Sequence, residues 1–197
     1  MISRVAFDGS SDAYLTLLNV PKRAGAVKGI SIAVAYATFG GVQILQPFFV
    51  AHRAAAKRCL VGIDWYRSDP AALDALALLP NSQVRIYDGE RVLARRGQPT
   101  KTYHPKAYVV EATKMCGVIL GSGNLSTSGL TTGIEVGEAT WAKRPDGDPT
   151  LLWTMFGQTL AWFDRMWKVA PPYARIAEPY REALSPQTAY KPQTTRT

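Results

Sequence analysis

Between Tyr103 and Glu135 the sequence holds a histidine, a lysine, a serine, an asparagine and a glutamate in one ordered run. They stand as Tyr103-His104-Pro105-Lys106, then Gly121-Ser122-Gly123-Asn124-Leu125-Ser126, then Glu135. In a strand, alternate side chains share a face, so His104 and Lys106 project together while Pro105 turns away. The same spacing puts Ser122 and Asn124 on one face if the chain is extended there. Gly121 and Gly123 leave room for a substrate or another backbone to approach. A neutral imidazole at His104 can attack phosphorus and form a phosphohistidine. Lys106 and Asn124 can hold the non-bridging oxygens as negative charge builds. Glu135 can accept a hydrogen bond from the second imidazole nitrogen and fix its tautomer. His104, Lys106, Ser122, Asn124 and Glu135 are therefore the candidate catalytic residues for cleaving a phosphodiester through nitrogen.

Short elements must position this set. Lys28 to Tyr36, Leu60 to Ile63 and Val84 to Tyr87 are apolar runs of strand length. Between them lie helix-like stretches. Val42 to Lys57 follows the Gly40-Gly41 break, with Pro47 beginning or kinking it. A second helix starts at Ser68-Asp69-Pro70 and stops at Pro80. Lys106 to Glu111 and Val118 to Gly121 read as strands around a turn near Thr113-Lys114, and Glu135 to Trp141 as another. Leu151 to Lys168 has the pattern of a long amphipathic helix rich in Trp and Phe. This order predicts an α/β fold, a mixed sheet flanked by helices. Residues 1–185 are expected to form one domain, and 186–197 a poorly ordered tail.

The run from Tyr103 to Glu138 resembles the phospholipase D superfamily, whose HKD motif reads His-x-Lys-x4-Asp, then Gly-Ser-x-Asn, then a downstream Glu. Here the motif's Asp position is occupied by Glu111. The resemblance implies a phospholipase D-like fold and catalysis without metal or cofactor. It also implies two motifs per active site, one histidine as nucleophile and the other as general acid. This chain has one motif, no internal repeat and only one other histidine, His52, in a helix-like run without a lysine two residues on. The resemblance thus implies a two-fold homodimer that brings His104 and its symmetry mate together. Short single-motif members resemble nucleases, among them the catalytic domain of a metal-independent restriction endonuclease.

The formal net charge of +8 favours a polyanionic partner. The basic segment before the His-x-Lys strand, with Arg91, Arg95, Arg96, Lys101 and the adjoining Tyr103, is the candidate substrate-binding stretch. Nucleic acid, DNA ahead of RNA, is the expected substrate, with any sequence specificity supplied by a partner protein. The competing readings are a non-catalytic nucleic-acid-binding dimer module and a phosphatidyl-transferring enzyme. Cys59 and Cys116 each sit in an apolar stretch and read as buried hydrophobes without a zinc cluster. No run is apolar enough to insert into a membrane, and the N-terminal residues lack a signal-peptide pattern. The expected location is the cytoplasm.

Overall fold

The computed structural model describes residues 4–8, 19–148 and 151–185. Seven strands form one mixed sheet in the order β1-β7-β6-β5-β2-β3-β4. They are β1 (Arg4–Asp8), β2 (Val27–Val34), β3 (Ala56–Val61), β4 (Ser82–Ile86), β5 (Lys106–Ala112), β6 (Met115–Gly121) and β7 (Val136–Lys143). β2, β3 and β4 run parallel, joined by α1 (Phe39–Ala51) and α2 (Pro70–Ala77). β5, β6 and β7 form an antiparallel meander, and β5 pairs antiparallel with β2 at the centre of the sheet. β1, not anticipated from sequence, pairs antiparallel with β7.

Register decides where chemistry gathers. Val34 at the end of β2 pairs with Lys106 at the start of β5, and Ala107 pairs with Leu120 near the end of β6. Gly121 then pairs with Gly137 near the start of β7. The carboxyl ends of β2, β3, β4 and β6 therefore share one edge with the amino ends of β5 and β7. In open α/β sheets this is the edge where ligands bind.

Strand alternation sends the two faces of the sheet to different layers. Ile30, Ile32, Tyr108, Val110 and Ile119 face a core filled by Val42, Leu45 and Phe49 of α1 and Leu73 and Leu76 of α2. Tyr173, Ile176 and Tyr180 complete that layer from α5 (Tyr173–Leu184). The opposite face is covered by α4 (Leu151–Val169). Phe163 and Trp167 pack on Ala33, Leu60 and Ala107, while Leu152 and Phe156 pack on Val109, Cys116 and Val118. Burial of a phenylalanine such as Phe163 contributes about 1.5–3 kcal/mol. Both cysteines are buried and free, as their apolar surroundings predicted, and burial pushes each thiol up to about 12.

Several boundaries differ from the sequence reading for identifiable reasons. α1 starts at Phe39, so Gly40-Gly41 lies inside its first turn and Pro47 in its interior rather than at its start. The N-cap is Thr38, whose hydroxyl accepts from Gly41 N–H at 3.3 Å. A side chain at Gly41 would strike the Leu125 backbone, so this glycine permits close approach of two segments rather than breaking the chain. Asp69 precedes α2 as expected, but its carboxylate accepts from Phe39 N–H at 2.9 Å instead of capping its own helix. Arg91 lies on a short helix, α3 (Gly89–Ala94). The expected tail, 186–197, lies outside the described residues. Among the described residues no helix is long and apolar enough to cross a membrane.

Candidate active site

His104 is held from both sides in the segment entering β5. Tyr103 N–H donates to Asp64 Oδ2 at 2.8 Å, and Ala35 N–H donates to Pro105 O at 2.9 Å. The Tyr103 ring stacks on Tyr87, centroids 4.5 Å apart, within the core under α4. His104 itself stands exposed between these anchors, although β5 proper begins only at Lys106.

The expected pairing of His104 and Lys106 is present. Lys106 is buried, and its Nζ lies 2.7 Å from His104 Nδ1 and 3.0 Å from Nε2, and donates to His104 O at 3.2 Å. The imidazole is held below its ordinary value by partial burial, then by the Lys106 and Arg67 cations, against a smaller opposing pull from Asp64. Burial also lowers Lys106, and Glu135 counters it. The neutral imidazole, the form with a free lone pair, is favoured.

Asn124 is buried after β6. Its Oδ1 accepts from Tyr36 N–H at 3.2 Å, which leaves Nδ2 to donate, and among the described residues Nδ2 has no partner. The loop around it is tightly fastened. Ser126 Oγ accepts from Gly129 N–H at 3.0 Å, and Thr38 N–H donates to Leu125 O at 2.8 Å. Gly129 opens against Asn124 itself, where an added Cβ would stand 2.6 Å from Asn124 N. The turn Ser128–Thr132 that follows is π-helical, a form found often at functional sites.

Ser122 and Glu135 form a unit of their own. Ser122 Oγ donates to Glu135 Oε2 and accepts from Val136 N–H at 2.9 Å. Glu135 is therefore bound to Ser122 and close enough to Lys106 to act on its charge. Among the described residues its hydrogen bond goes to Ser122 and none joins it to His104 of the same chain, unlike the expectation that it orients that imidazole. Glu111 lies at the far end of β5, its carboxylate over Gly29, away from His104.

A cavity of about 490 Å³ opens at this edge, lined by His104, Lys106, Leu120 and Gly121 from the sheet and by Gln158, Thr159 and Trp162 from α4. The basic segment lies elsewhere. Arg91 and Lys101 line a separate cleft of about 500 Å³ together with Tyr87, Asp88 and Glu90. Arg91 also pairs with Asp88 at 3.7 Å. Arg95 and Arg96 are exposed beyond the end of α3. Tyr103 points into the core: it is 5% exposed, and its buried hydroxyl has no hydrogen-bond partner among the described residues.

Two residues near the imidazole were not singled out in the sequence. Asp64 and Arg67 belong to the loop after β3, where Asp64 is buried on Tyr103 N–H and Arg67 acts on His104. Burial raises the Asp64 carboxyl above the usual range. The loop is strained, since Trp65 (φ 53°) and Tyr66 (φ 59°) are successive non-glycine residues in the left-handed region. Such residues cost roughly 1–3 kcal/mol each and cluster at active sites and ligand clamps. The signal available in sequence was position: Gly62-Ile63-Asp64 ends a parallel strand at the ligand-binding edge.

In three dimensions the chain is similar to NucT from Helicobacter pylori, with TM-score 0.59 and 17% identity over 87% of this chain and 99% of that one. It is also similar to phosphatidylserine synthase from Haemophilus influenzae, with TM-score 0.52 and 14% identity over 93% of this chain and 45% of that one. The fold is phospholipase D-like. No family model matches the sequence, and no curated protein matches it. The central strand of this sheet, β5, begins at Lys106, two residues after His104. Among the described residues, no three His, Cys, Asp or Glu side chains are grouped as metal ligands would be.

Proposed function

We propose that the protein is a metal-independent phosphodiesterase acting on nucleic acid, DNA ahead of RNA, through a phosphohistidine at a site completed by a second copy of the chain. The observation that carries this reading is the contact between Lys106 Nζ and the exposed His104 ring, beside a cavity and at the same sheet edge as Asn124, whose Nδ2 has no partner among the described residues. Lys106, Asn124 and Arg67 supply donors for the non-bridging oxygens. His104, kept neutral, attacks phosphorus; the P–N bond forms as the P–O bond to the leaving group breaks. The leaving oxygen takes a proton from a second imidazolium. That imidazole, now neutral, removes a proton from water, whose oxygen attacks phosphorus and releases His104.

The second imidazole is not His52. His52 ends α1, edge-on to Phe48 with centroids 4.9 Å apart. The start of α1 abuts Leu125, next to Asn124, and 13 residues at 1.5 Å each place its end about 20 Å away. The partner's His104 is the remaining candidate, and Glu135, free of its own chain's imidazole, is available to orient the partner's. Arg91, Arg95, Arg96 and Lys101 offer a basic track for the polymer backbone outside the site.

The experiment is incubation with supercoiled plasmid in EDTA, with a phosphatidyl-transfer assay in parallel because of the likeness to phosphatidylserine synthase. Nicking that persists in EDTA and vanishes in His104→Ala supports the reading. Lipid turnover without nicking replaces it with phosphatidyl transfer. Binding of DNA with neither activity replaces it with a non-catalytic module.

A further inference from the structure

The loop Asp64–Arg67, tied through Asp64 to the backbone next to His104, presents an exposed aromatic ring and a cation. Trp65 and Tyr66 are adjacent and both left-handed, yet their rings are used differently. Tyr66 packs inward, against Gly97 and within 6.0 Å of Tyr180. Trp65 is 45% exposed, although its backbone is firmly tied, its N–H donating to Gly97 O at 2.7 Å. The next side chain on this turn, Arg67, carries its guanidinium 5.7 Å from the centre of the Trp65 ring. Among the described residues Arg67 has no carboxylate partner. Asp64 ties the start of the same turn to Tyr103 N–H, the residue before His104.

We infer that Trp65 and Arg67 form a nucleobase subsite of the phosphodiesterase site, Trp65 stacking an unpaired base next to the scissile phosphate and Arg67 contacting that phosphate. The inference rests on the phosphodiesterase reading of His104 and adds the substrate class: single-stranded nucleic acid. An indole held rigidly at the surface loses little freedom when a base stacks on it. Stacking on aromatic side chains is tolerant of base identity, and a guanidinium against one face of the indole leaves the other open. A base within a duplex has both faces covered already, so this platform selects unpaired strands. The strained backbone then has a purpose, because it turns Trp65 outward while Tyr66 fills the core.

The test uses the full chain carrying His104→Ala, which cannot turn over its ligand, and two oligonucleotides of equal length and charge, one thymine-bearing and one abasic. The expected result is tighter binding of the base-bearing strand by roughly 5- to 150-fold, the range for one stacked base. Trp65→Asn, which tolerates a left-handed backbone, should abolish that preference and leave abasic binding unchanged, while Trp65→Phe should keep most of it. A preference unaltered in Trp65→Asn, or equal weakening of both strands, overturns the inference. Cleavage by the unmutated protein is scored separately. A protein that cleaves but shows no base-dependent preference overturns the stacking subsite alone. One that neither cleaves nor binds either strand overturns the phosphodiesterase reading with it.

Discussion

Among the described residues the Lys106 ammonium hydrogen-bonds to His104 alone: Nζ lies 2.7 Å from Nδ1 of His104 and also donates to the carbonyl of the same residue. The two side chains act as one unit in which a buried cation sits against an exposed ring. Protonating the ring would place two positive charges in contact, so the imidazole stays neutral further into acid than an ordinary histidine does. Attack at phosphorus needs that neutral form.

The acid limb of the activity profile should accordingly fall below the ordinary imidazole range near 6.5. Lys106→Gln removes one of the causes that depress His104 and should move this limb upward in pH, besides lowering the rate by removing an oxyanion donor, ~10²-fold or more. Asp64→Asn should move it the other way, because the Asp64 carboxylate is what opposes the depression. Plasmid nicking rates between pH 4.5 and 8 measure both shifts. Limbs that coincide in the three proteins would show that His104 does not set the profile.

Gly129→Ala tests the fastening of Asn124. The added methyl would stand 2.6 Å from Asn124 N, so the Asn124 backbone must move. A displacement near 1 Å at a catalytic group costs on the order of 10²-fold in rate. The expected outcome is a loss of that size with unchanged circular dichroism and an unchanged oligomeric state. Full activity in a folded Gly129→Ala protein would show that Asn124 does not hold the substrate.

Tyr103→Phe separates a core role from a binding role. The Tyr103 hydroxyl is buried without a partner among the described residues, and such a group costs about 1–3 kcal/mol. Its removal should raise the melting temperature by a few degrees and leave activity and DNA affinity unchanged. Weaker DNA binding by Tyr103→Phe would restore the substrate-binding role expected from its place beside the basic segment.

Tyr103 also illustrates what was legible in the chain and what was not. The strands from Lys28, Leu60, Val84, Lys106 and Val118 were visible because each is a short apolar run with turn residues at its ends. His104 and Lys106 were visible as partners because strand alternation is a local rule, and Asn124 because it closes the run Gly121-Ser122-Gly123-Asn124. Whether Tyr103 faces solvent or core depends on Tyr87, Phe163 and Trp167, contacts that form only once α4 lies on the sheet. The role of Asp64 depends in the same way on a backbone N–H 39 residues away. α5 was hidden by Pro171, Pro172 and Pro179, although Tyr173, Ile176 and Tyr180 recur at helical spacing and are all buried. Ser122 was legible as a site residue, but its attachment to Glu135 requires the pairing of β6 with β7.

Mixing experiments address the incompleteness of the site in one chain. His104→Ala protein is combined with unmutated protein under conditions that let subunits exchange. If every site needs an imidazole from both copies, only dimers with two intact chains are active, and activity follows the square of the unmutated fraction. An equal mixture should then retain about one quarter of the activity of an all-intact sample at the same total concentration. A site complete within one chain would retain about one half. Dilution supplies an independent check, because a shared site loses activity per chain once the dimer dissociates. A linear response to mixing, with activity per chain unaffected by dilution, would assign the general acid to the same chain as the nucleophile. It would also require a proton donor other than His52, which ends α1 about 20 Å from Leu125 and the Asn124 loop.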